Sequence, residues 1–246
     1  MNGEIAVRAC EGLEEFRACV ALEREIWGEA DLEVVPDTVF VVAEHTGGQI
    51  LGAFDGGRLV GFTLALPGLR NGAAYLHSHM TGVAAAYRDR GVGRMLKLFQ
   101  RQEALTRDIR LIEWTFDPLE MRNAHFNLNR LGAIARRYLP NLYGITSSPL
   151  HRGLATDRLV AEWYLDSPRV LAALGGKLMA CPEFAASIDI PSLLKDWRSA
   201  DLPQVQKLQA AIRAKFTDEF AKGYAALSVT RTPAGSAYQL LPWSQF

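Results

Sequence analysis

The stretch YRDRGVGRMLK, from Tyr87 to Lys97, decides the fold because it combines a strand exit, a glycine-broken turn and a helix start. The preceding segment YLHSHMTGV (75–83) suits a β-strand, in which alternate side chains face opposite sides. This alternation predicts Leu76, Ser78 and Met80 on one face, with His77, His79 and Thr81 on the other. Beyond the turn, apolar residues recur at helical spacing and predict a buried stripe: Val92, Met95, Leu96 and Phe99.

The turn itself has the spacing Arg88-x-x-Gly91-x-Gly93. Glycine carries no Cβ, so the backbone can approach a bulky anion there. The first turn of a helix leaves N–H groups unpaired, and its dipole favours negative charge. The loop therefore predicts an amide cradle for a pyrophosphate, with Arg90 and Arg94 adding positive charge. An ordinary glycine turn before a helix is the alternative, whereas the GxxxxGK[ST] and dinucleotide-binding loops are excluded by sequence.

Several longer stretches extend this signal along the chain. With the loop, they resemble the GNAT superfamily of N-acyltransferases, whose acyl-CoA-binding signature is [QR]-x-x-G-x-[GA]. They also resemble a bacterial branch of that superfamily that includes amino-acid N-acyltransferases using succinyl-CoA. The stretches are LHSHMTGV (76–83), LKLFQRQEAL (96–105), WTFDPLEMRNAHFNLNRLGA (114–133) and TDRLVAEWYL (156–165).

The resemblance implies a fold, a reaction and a cofactor-binding set. The fold is α/β, a mixed sheet with helices on both faces, and the reaction is direct attack of an amine on a CoA thioester. Acetyl-CoA or succinyl-CoA is the implied acyl donor, the acceptor is a small-molecule amine, and no metal is implied. The residues implied to bind the donor are Val83, Arg88, Arg90, Gly91, Val92, Gly93, Arg94 and Asn123.

The amine must lose a proton, so a base with a pKa near 7 is required, directly or through water. His79 is the first candidate because it lies four residues before Val83, where many relatives carry a carboxylate base. The alternative is a histidine that is hydrogen-bonded within the sheet. His77 shares the predicted face of His79 and is the second candidate. Glu113, on the adjacent strand by GNAT analogy, is the third, unless it only balances a nearby base or arginine.

One position departs from the superfamily pattern. Many relatives place a tyrosine four residues before the glycine that corresponds to Gly132, where it protonates the departing thiolate, but this chain has Leu128. Either another donor serves, or the thiolate leaves unprotonated. The candidate donors are Tyr138, Tyr143, Asn127 and Asn129.

The composition argues against a nucleic-acid-binding, a membrane-spanning or a disulfide-rich protein. Lys plus Arg and Asp plus Glu number 27 each among 246 residues, so no global field favours nucleic acid or membrane partners. The three cysteines are too few and too scattered for a disulfide framework or a metal site. No apolar run approaches the roughly 18 residues of a membrane span, and the N-terminus lacks signal-peptide character. We expect a cytoplasmic globular protein, with the apolar C-terminal hairpin as a candidate homodimer contact.

The order of predicted elements is β-α-ββ-β-α-β-α-β, followed by a less regular tail. We predict a GNAT core at 1–165 and an α+β extension at 166–246 that packs on it. In the tail we predict a strand at SIDI (187–190), a helix over 201–222 and a hairpin around Pro233-Ala234-Gly235.

Two classes of function remain open from the sequence. The first is an active N-acyltransferase, for which an amino-acid acceptor would require an arginine to pair with its carboxylate. The second is an acyl-CoA-binding sensor on the same fold without turnover. Transfer-RNA-dependent acyl transfer is a third option, disfavoured because no basic aromatic patch is visible. The candidate arginines are Arg136, Arg137, Arg152 and Arg158.

Overall fold

The computed structural model describes residues 4–28, 34–145, 153–177, 186–192 and 201–243. The chain divides into two compact units, an N-terminal unit (Met1–Trp114) and a C-terminal unit (Thr115–Phe246). Arg152 lies outside the described residues. No helix in the described part of the chain is long and apolar enough to cross a membrane.

The described residues of the N-terminal unit form five strands with the order β1-β2-β3-β4-β5. All neighbours pair antiparallel except β4 and β5, which are parallel because a helix connects them. Strand β5 runs across the boundary of the unit. The elements are β1 (Ile5–Ala9), α1 (Gly12–Trp27), α2 (Asp37–His45), β2 (Gln49–Asp55), β3 (Arg58–Arg70), β4 (Ala73–Val83), a 3₁₀ turn (Ala85–Tyr87), α3 (Val92–Thr106) and β5 (Leu111–Phe116).

Two apolar clusters form the core of this unit. In the first, Phe16 of α1 and Phe40 of α2 pack with Phe62 of β3. In the second, Val92 and Leu96 of α3 pack with residues of β2 and β3. Successive residues of a strand face opposite sides, so β3 contributes to both clusters. The sheet is therefore covered by α1 and α2 on one face and by α3 on the other.

The part of the C-terminal unit that the structure describes also forms five strands, in the order β7-β6-β9-β10-β8. The strand β9 continues the sheet from β6 and pairs Ala226 with Ala135. Buried Phe216 of α6 packs its ring against Tyr138 and Tyr238. The elements are α4 (Met121–His125) with a π-helical turn (Phe126–Arg130), β6 (Ile134–Leu139), β7 (Arg158–Tyr164), α5 (Pro168–Leu174), β8 (Ala186–Pro191), α6 (Leu202–Ala221), β9 (Tyr224–Thr232) and β10 (Gly235–Pro242).

These elements confirm the predicted α/β mixed fold, and the strand, helix and hairpin predicted in the tail are present as β8, α6 and β9–β10, but the predicted order did not include α2. Helix α5 was not among the predicted elements, because proline and glycine, here Pro168 and Gly175, are typical of loops. Instead, the Ser167 hydroxyl caps the helix by accepting from the Val170 N–H at 3.3 Å, and Pro168 occupies the first turn. The division of the chain at residue 165 stays a prediction.

Candidate active site

The predicted phosphate loop connects β4 to α3 in the N-terminal unit. Gly91 precedes α3 in the left-handed conformation at φ +81°, and its carbonyl accepts the first helical hydrogen bond, from the Met95 N–H at 3.0 Å. The N–H groups of the first helical turn have no acceptor within the helix. Its first turn carries no acidic residue. The amides that begin at Val92 therefore offer hydrogen-bond donors to an anion at the end of β4, and their binding of the pyrophosphate stays a prediction.

The space around Gly93 indicates whether this loop can accommodate a phosphate. A Cβ at Gly93 would meet only the Val83 side chain, at 3.9 Å, which is an ordinary contact. The fold itself therefore leaves room for a side chain at this helical position. Glycine inside a helix costs about 0.5–1 kcal/mol relative to alanine. The open space at Gly93 is the kind of cradle that lets a bound pyrophosphate reach the backbone.

Exposed arginines surround the loop. The Arg88 Nε lies 3.4 Å from the Val83 carbonyl oxygen, and the Arg90 guanidinium lies 4.7 Å from the centre of the Tyr87 ring. Both side chains remain exposed, and Arg94 is half-buried in the first turn of α3. This side of the loop is therefore positively charged, as a phosphate site requires.

Strand β4 contains a β-bulge at His79. Leu64 of β3 pairs with Met80 and Ala65 pairs with Ser78, so His79 has no partner in the register. The extra residue reverses the alternation of side chains. As a result, Met80 packs with the α1–α2 cluster, whereas Ser78 contacts α3. The predicted grouping of Leu76, Ser78 and Met80 on one face was wrong.

A glycine within a strand often marks a bulge, but Gly82 is not part of this one. Gly82 pairs regularly with Phe62, three residues beyond the bulge. Its missing side chain has a different cause, since a Cβ there would lie 2.7 Å from Ile26 and 2.9 Å from Trp27 of α1. Glycine therefore lets α1 pack closely on β4.

The two candidate histidines lie close together on β4. Their ring centres are 6.2 Å apart, His77 is half-buried and His79 is exposed to solvent. The surrounding protein lowers the pKa of His79 below its ordinary value by partial desolvation, even though the ring reaches solvent. A lowered pKa keeps the imidazole neutral near pH 7, the form in which a base accepts a proton.

Glu113, the third candidate, is buried in β5 and stands beside His77 in the parallel register. Its carboxylate accepts two hydrogen bonds from Arg70, with Nη2 at 2.6 Å from Oε2. The Arg70 guanidinium also lies 4.9 Å from the centre of the Tyr75 ring. The structure thus matches the alternative in which Glu113 balances an arginine, and its catalytic role stays a prediction.

This loop and sheet match a known family. The model of the acetyltransferase (GNAT) family matches residues 14–132. Residues 14–132 form a GNAT acetyltransferase domain. A search of curated proteins returned no match to the sequence.

Solved structures share the fold of this GNAT domain. The ribosomal-protein-S18-alanine N-acetyltransferase from Escherichia coli is 12% identical with a TM-score of 0.52, covering 67% of this chain and 96% of its own. An N-acetyltransferase from Staphylococcus aureus Mu50 is 14% identical with a TM-score of 0.52, covering 67% and 100%. The protein yncA from Salmonella typhimurium, solved with its cofactor acetyl-CoA, is 15% identical with a TM-score of 0.53, covering 67% and 96%.

The GNAT family uses acyl-CoA, which fits the anion site at the start of α3. The remaining predicted donor-binding residue, Asn123, lies in the C-terminal unit and is exposed on α4. Within the described residues, no group of three or more His, Cys, Asp or Glu side chains is arranged to hold a metal.

The helical segment that leads to Gly132 changes form before it ends. Its second half is a π-helical turn in which the Leu131 N–H bonds to the Phe126 carbonyl at 3.0 Å. Gly132 follows at φ +76°. Leu128, at the position where relatives carry tyrosine, is fully buried in this turn. Its side chain has no proton to give, so either another group donates one or the thiolate leaves unprotonated.

Three of the four alternative donors already have partners in the C-terminal unit. The Tyr138 hydroxyl donates to Asp157 at 2.7 Å, and the Tyr143 hydroxyl lies 3.0 Å from Thr115 Oγ1. The Asn129 amide bonds to both backbone groups of Val229, at 2.8 and 3.2 Å. The fourth, Asn127, is buried, and its Nδ2 has no hydrogen-bond partner among the described residues.

Two of the candidate arginines share one buried carboxylate. The Nε atoms of Arg136 and Arg137 each lie 2.9 Å from Glu162. Neighbouring strand residues normally face opposite sides, but an irregularity of β6 between Ala135 and Tyr138 brings both to Glu162. Arg158 is mostly buried, and its Nη1 lies 4.0 Å from Asp117. A role for any of them in binding a substrate carboxylate stays a prediction.

The buried polar face of α3 was not predicted from the sequence. Met95, predicted to be buried, is exposed, whereas Lys97 and Gln100 are buried beside Leu96. The period of 3.6 residues already placed Lys97 and Gln100, three residues apart, on one face of the helix. Two polar residues next to Leu96 on an otherwise apolar stripe were the available signal.

Proposed function

We propose that this chain is an acyl-CoA-dependent N-acyltransferase that moves an acetyl or succinyl group to the amine of a small molecule. An amino acid is one candidate acceptor. The observation that carries the proposal is the glycine-capped start of α3, with Gly91 at φ +81° and open space at Gly93, within a GNAT domain. This combination provides a backbone site for the pyrophosphate of the donor at the end of β4.

The reaction needs three contributions from the protein. A base must remove a proton from the attacking amine, and His79 is the candidate because its pKa is lowered and its ring reaches solvent. A donor must face the carbonyl oxygen as negative charge develops there, and backbone N–H groups of β4 near the bulge are candidates. The carbon–nitrogen bond then forms while the carbon–sulfur bond breaks, and CoA leaves as a thiolate that finally takes a proton.

Binding and turnover are tested separately. Calorimetry with acetyl-CoA, succinyl-CoA and free CoA measures affinity for the donor, and release of free thiol across a panel of amines measures transfer. We expect binding of CoA thioesters and thiol release that depends on an added amine. Absence of CoA binding by the folded protein would contradict the proposal.

The second candidate is an acyl-CoA-binding sensor without turnover. Leu128 favours it, because the buried leucine removes the usual proton donor for the thiolate. In this case calorimetry would show binding of acyl-CoA, while no amine in the panel would accelerate thiol release. The same two measurements therefore separate an enzyme from a sensor.

A further inference from the structure

Lys97 is buried on α3 beneath the sheet of the N-terminal unit, with only 4% of its surface exposed. Its Nζ donates to the Ser78 hydroxyl at 2.8 Å and to the Gln100 Oε1 at 3.0 Å. It also lies 4.2 Å from the centre of the Trp114 ring. A lysine so fully buried is unusual and requires an explanation beyond packing.

The groups that face Lys97 carry no charge. Ser78 comes from β4, Trp114 from β5 and Gln100 from α3 itself, and Lys97 forms no ion pair among the described residues. Glu103, further along α3, is paired with Arg107 at 2.8 Å. Burial without a counter-charge lowers the pKa of Lys97 to about 7. The amine therefore exchanges its proton near neutral pH.

Lys97 lies where two parallel strands stop pairing. The register between β4 and β5 consists of Leu76 with Ile112 and His77 with Glu113. Ser78 and Trp114, which contact Lys97, are the next residue of each strand. Beyond this point β4 continues to Val83, at the phosphate loop. Along this part of β4, the edge that faces β5 is not included in the paired register of the two strands. An extended ligand anchored at the loop can follow that edge back toward Ser78, as a peptide adds to a strand edge.

Hydroxyl groups continue from Lys97 along the same face. Thr63 of β3 lies 3.4 Å from Ser78 and 2.8 Å from the Thr81 hydroxyl. Ser78 and Thr63 are buried, whereas Thr81 is half-buried. The contact between Ser78 and Thr63 is longer than the usual range of about 2.5–3.0 Å for such bonds. A proton from Lys97 therefore passes more readily to Ser78, which is bonded to it directly at 2.8 Å, than onward from Ser78 to Thr63.

We propose that Lys97 supplies, through the Ser78 hydroxyl, the proton that neutralises the CoA thiolate when the carbon–sulfur bond breaks. The Lys97 ammonium gives a proton to Ser78 Oγ while Ser78 gives its own to the sulfur, so the products are neutral Lys97 and free thiol. Lys97 regains a proton from solvent, which receives the one lost by the amine. Lys97 is thus a positioning residue that acts through Ser78 and fulfils the role left open by Leu128. This inference rests on the proposed acyl transfer.

The test compares two acyl donors that differ in one atom. Acetyl-CoA releases a thiolate, whereas its selenium analogue releases a selenolate, a weaker base that leaves without a proton. Lys97→Met keeps an unbranched side chain that is one atom shorter, and it removes a buried amine whose charged form is costly to withdraw from water. Ser78→Ala removes the relay with a smaller change in volume, and Lys215→Met, at an exposed position of α6, is the matched control.

We expect Lys97→Met and Ser78→Ala to lower kcat with acetyl-CoA by about 10²-fold or more, the usual range for a positioned acid. With the selenium analogue both variants should approach the wild-type rate, and Lys215→Met should match wild type with both donors. Activity of an acid requires its protonated form. The wild-type pH–rate profile should therefore fall as pH rises through about 7, and Lys97→Met should lose this limb.

Equal losses with both donors would show a purely structural role and overturn the inference, as would unchanged rates with acetyl-CoA. In either case wild-type turnover would still support the proposed acyl transfer. If the wild-type protein releases no thiol with any amine, the proposed function and this inference both fail. Calorimetry of each variant with CoA shows whether a loss of turnover comes from a loss of CoA binding rather than from the loss of the proton donor.

Discussion

Arg70 and Glu113 form an ion pair in which only one partner is buried. The Glu113 side chain is 3% exposed, whereas that of Arg70 is 36% exposed. Loss of the partner costs more free energy for the buried carboxylate of Glu113 than for the guanidinium of Arg70, which still contacts water. The pair fixes the end of β3 against β5, beside the two candidate histidines.

The first prediction follows from this asymmetry. Arg70→Gln leaves a buried carboxylate without its cation and should cost about 3 kcal/mol, the lower end of the range for breaking a buried pair. Glu113→Gln retains a hydrogen-bond acceptor and leaves Arg70 in contact with water, so the cost should be nearer about 1 kcal/mol. Urea denaturation of both variants measures the difference. A large loss of turnover in Glu113→Gln at unchanged stability would instead place Glu113 among the catalytic groups.

The second prediction concerns the two glycines of the phosphate loop. Gly93→Ala introduces a methyl group that the fold accepts, so it should stabilise the protein by about 0.5–1 kcal/mol. The same methyl group occupies the space of the pyrophosphate, so affinity for acetyl-CoA should fall by about tenfold or more. The melting temperature of Gly93→Ala should therefore rise, whereas its affinity for acetyl-CoA, measured by calorimetry, should fall.

Gly91→Ala is the control for this prediction. Its φ of +81° disfavours any side chain, although nothing lies within 4 Å of the added Cβ. The variant should lose about 1–2 kcal/mol of stability. A Gly93→Ala protein that binds acetyl-CoA as tightly as wild type would show that the phosphate lies elsewhere.

The elements around the loop were predictable because their signals are local. Gly28 ends α1, Pro36 precedes α2, and Asp55-Gly56-Gly57 turns the chain between β2 and β3. Each of these signals acts at its own position, because glycine permits the left-handed backbone and proline fixes φ whatever the rest of the chain does. The same holds for Gly91 before α3.

The arrangement of side chains was not predictable by the same route. The bulge at His79 depends on how β3 pairs with β4, and the sequence of one strand does not contain its register. It moved Met80 to the α1–α2 face and left Ser78 facing α3. The burial of Lys97 likewise depends on Ser78 and Trp114, which come from two other strands.

The third prediction concerns the tail. Arg213 of α6 pairs with buried Asp157 through two contacts of 2.9 Å, and Tyr238 donates to the Pro118 carbonyl at 2.8 Å. A chain truncated after residue 165 loses these partners and also β9, the neighbour of β6. We therefore expect it to be insoluble or to melt without cooperativity, by circular dichroism and calorimetry. A truncated chain that melts cooperatively and binds CoA would show that the tail is a detachable module.

The fourth prediction concerns the base. His79→Ala should lower turnover by about 10²–10⁴-fold, the range for a positioned general base, with little change in acyl-CoA affinity. The base acts in its neutral form, so activity rises with pH through its pKa. Because desolvation lowers the pKa of His79, that rise should lie below the ordinary value of 6.5. Steady-state rates between pH 5 and 8 measure it, and His79→Ala should lose the rise.

His77→Ala is the matched control, since its ring lies 6.2 Å from that of His79 on the same strand. We expect a smaller effect, because His77 is paired with Leu66 in the regular part of β4, whereas His79 stands in the bulge. If both variants keep the wild-type rate and pH dependence, neither imidazole is the base. The proton would then go to water, or the substrate would react as its own free amine.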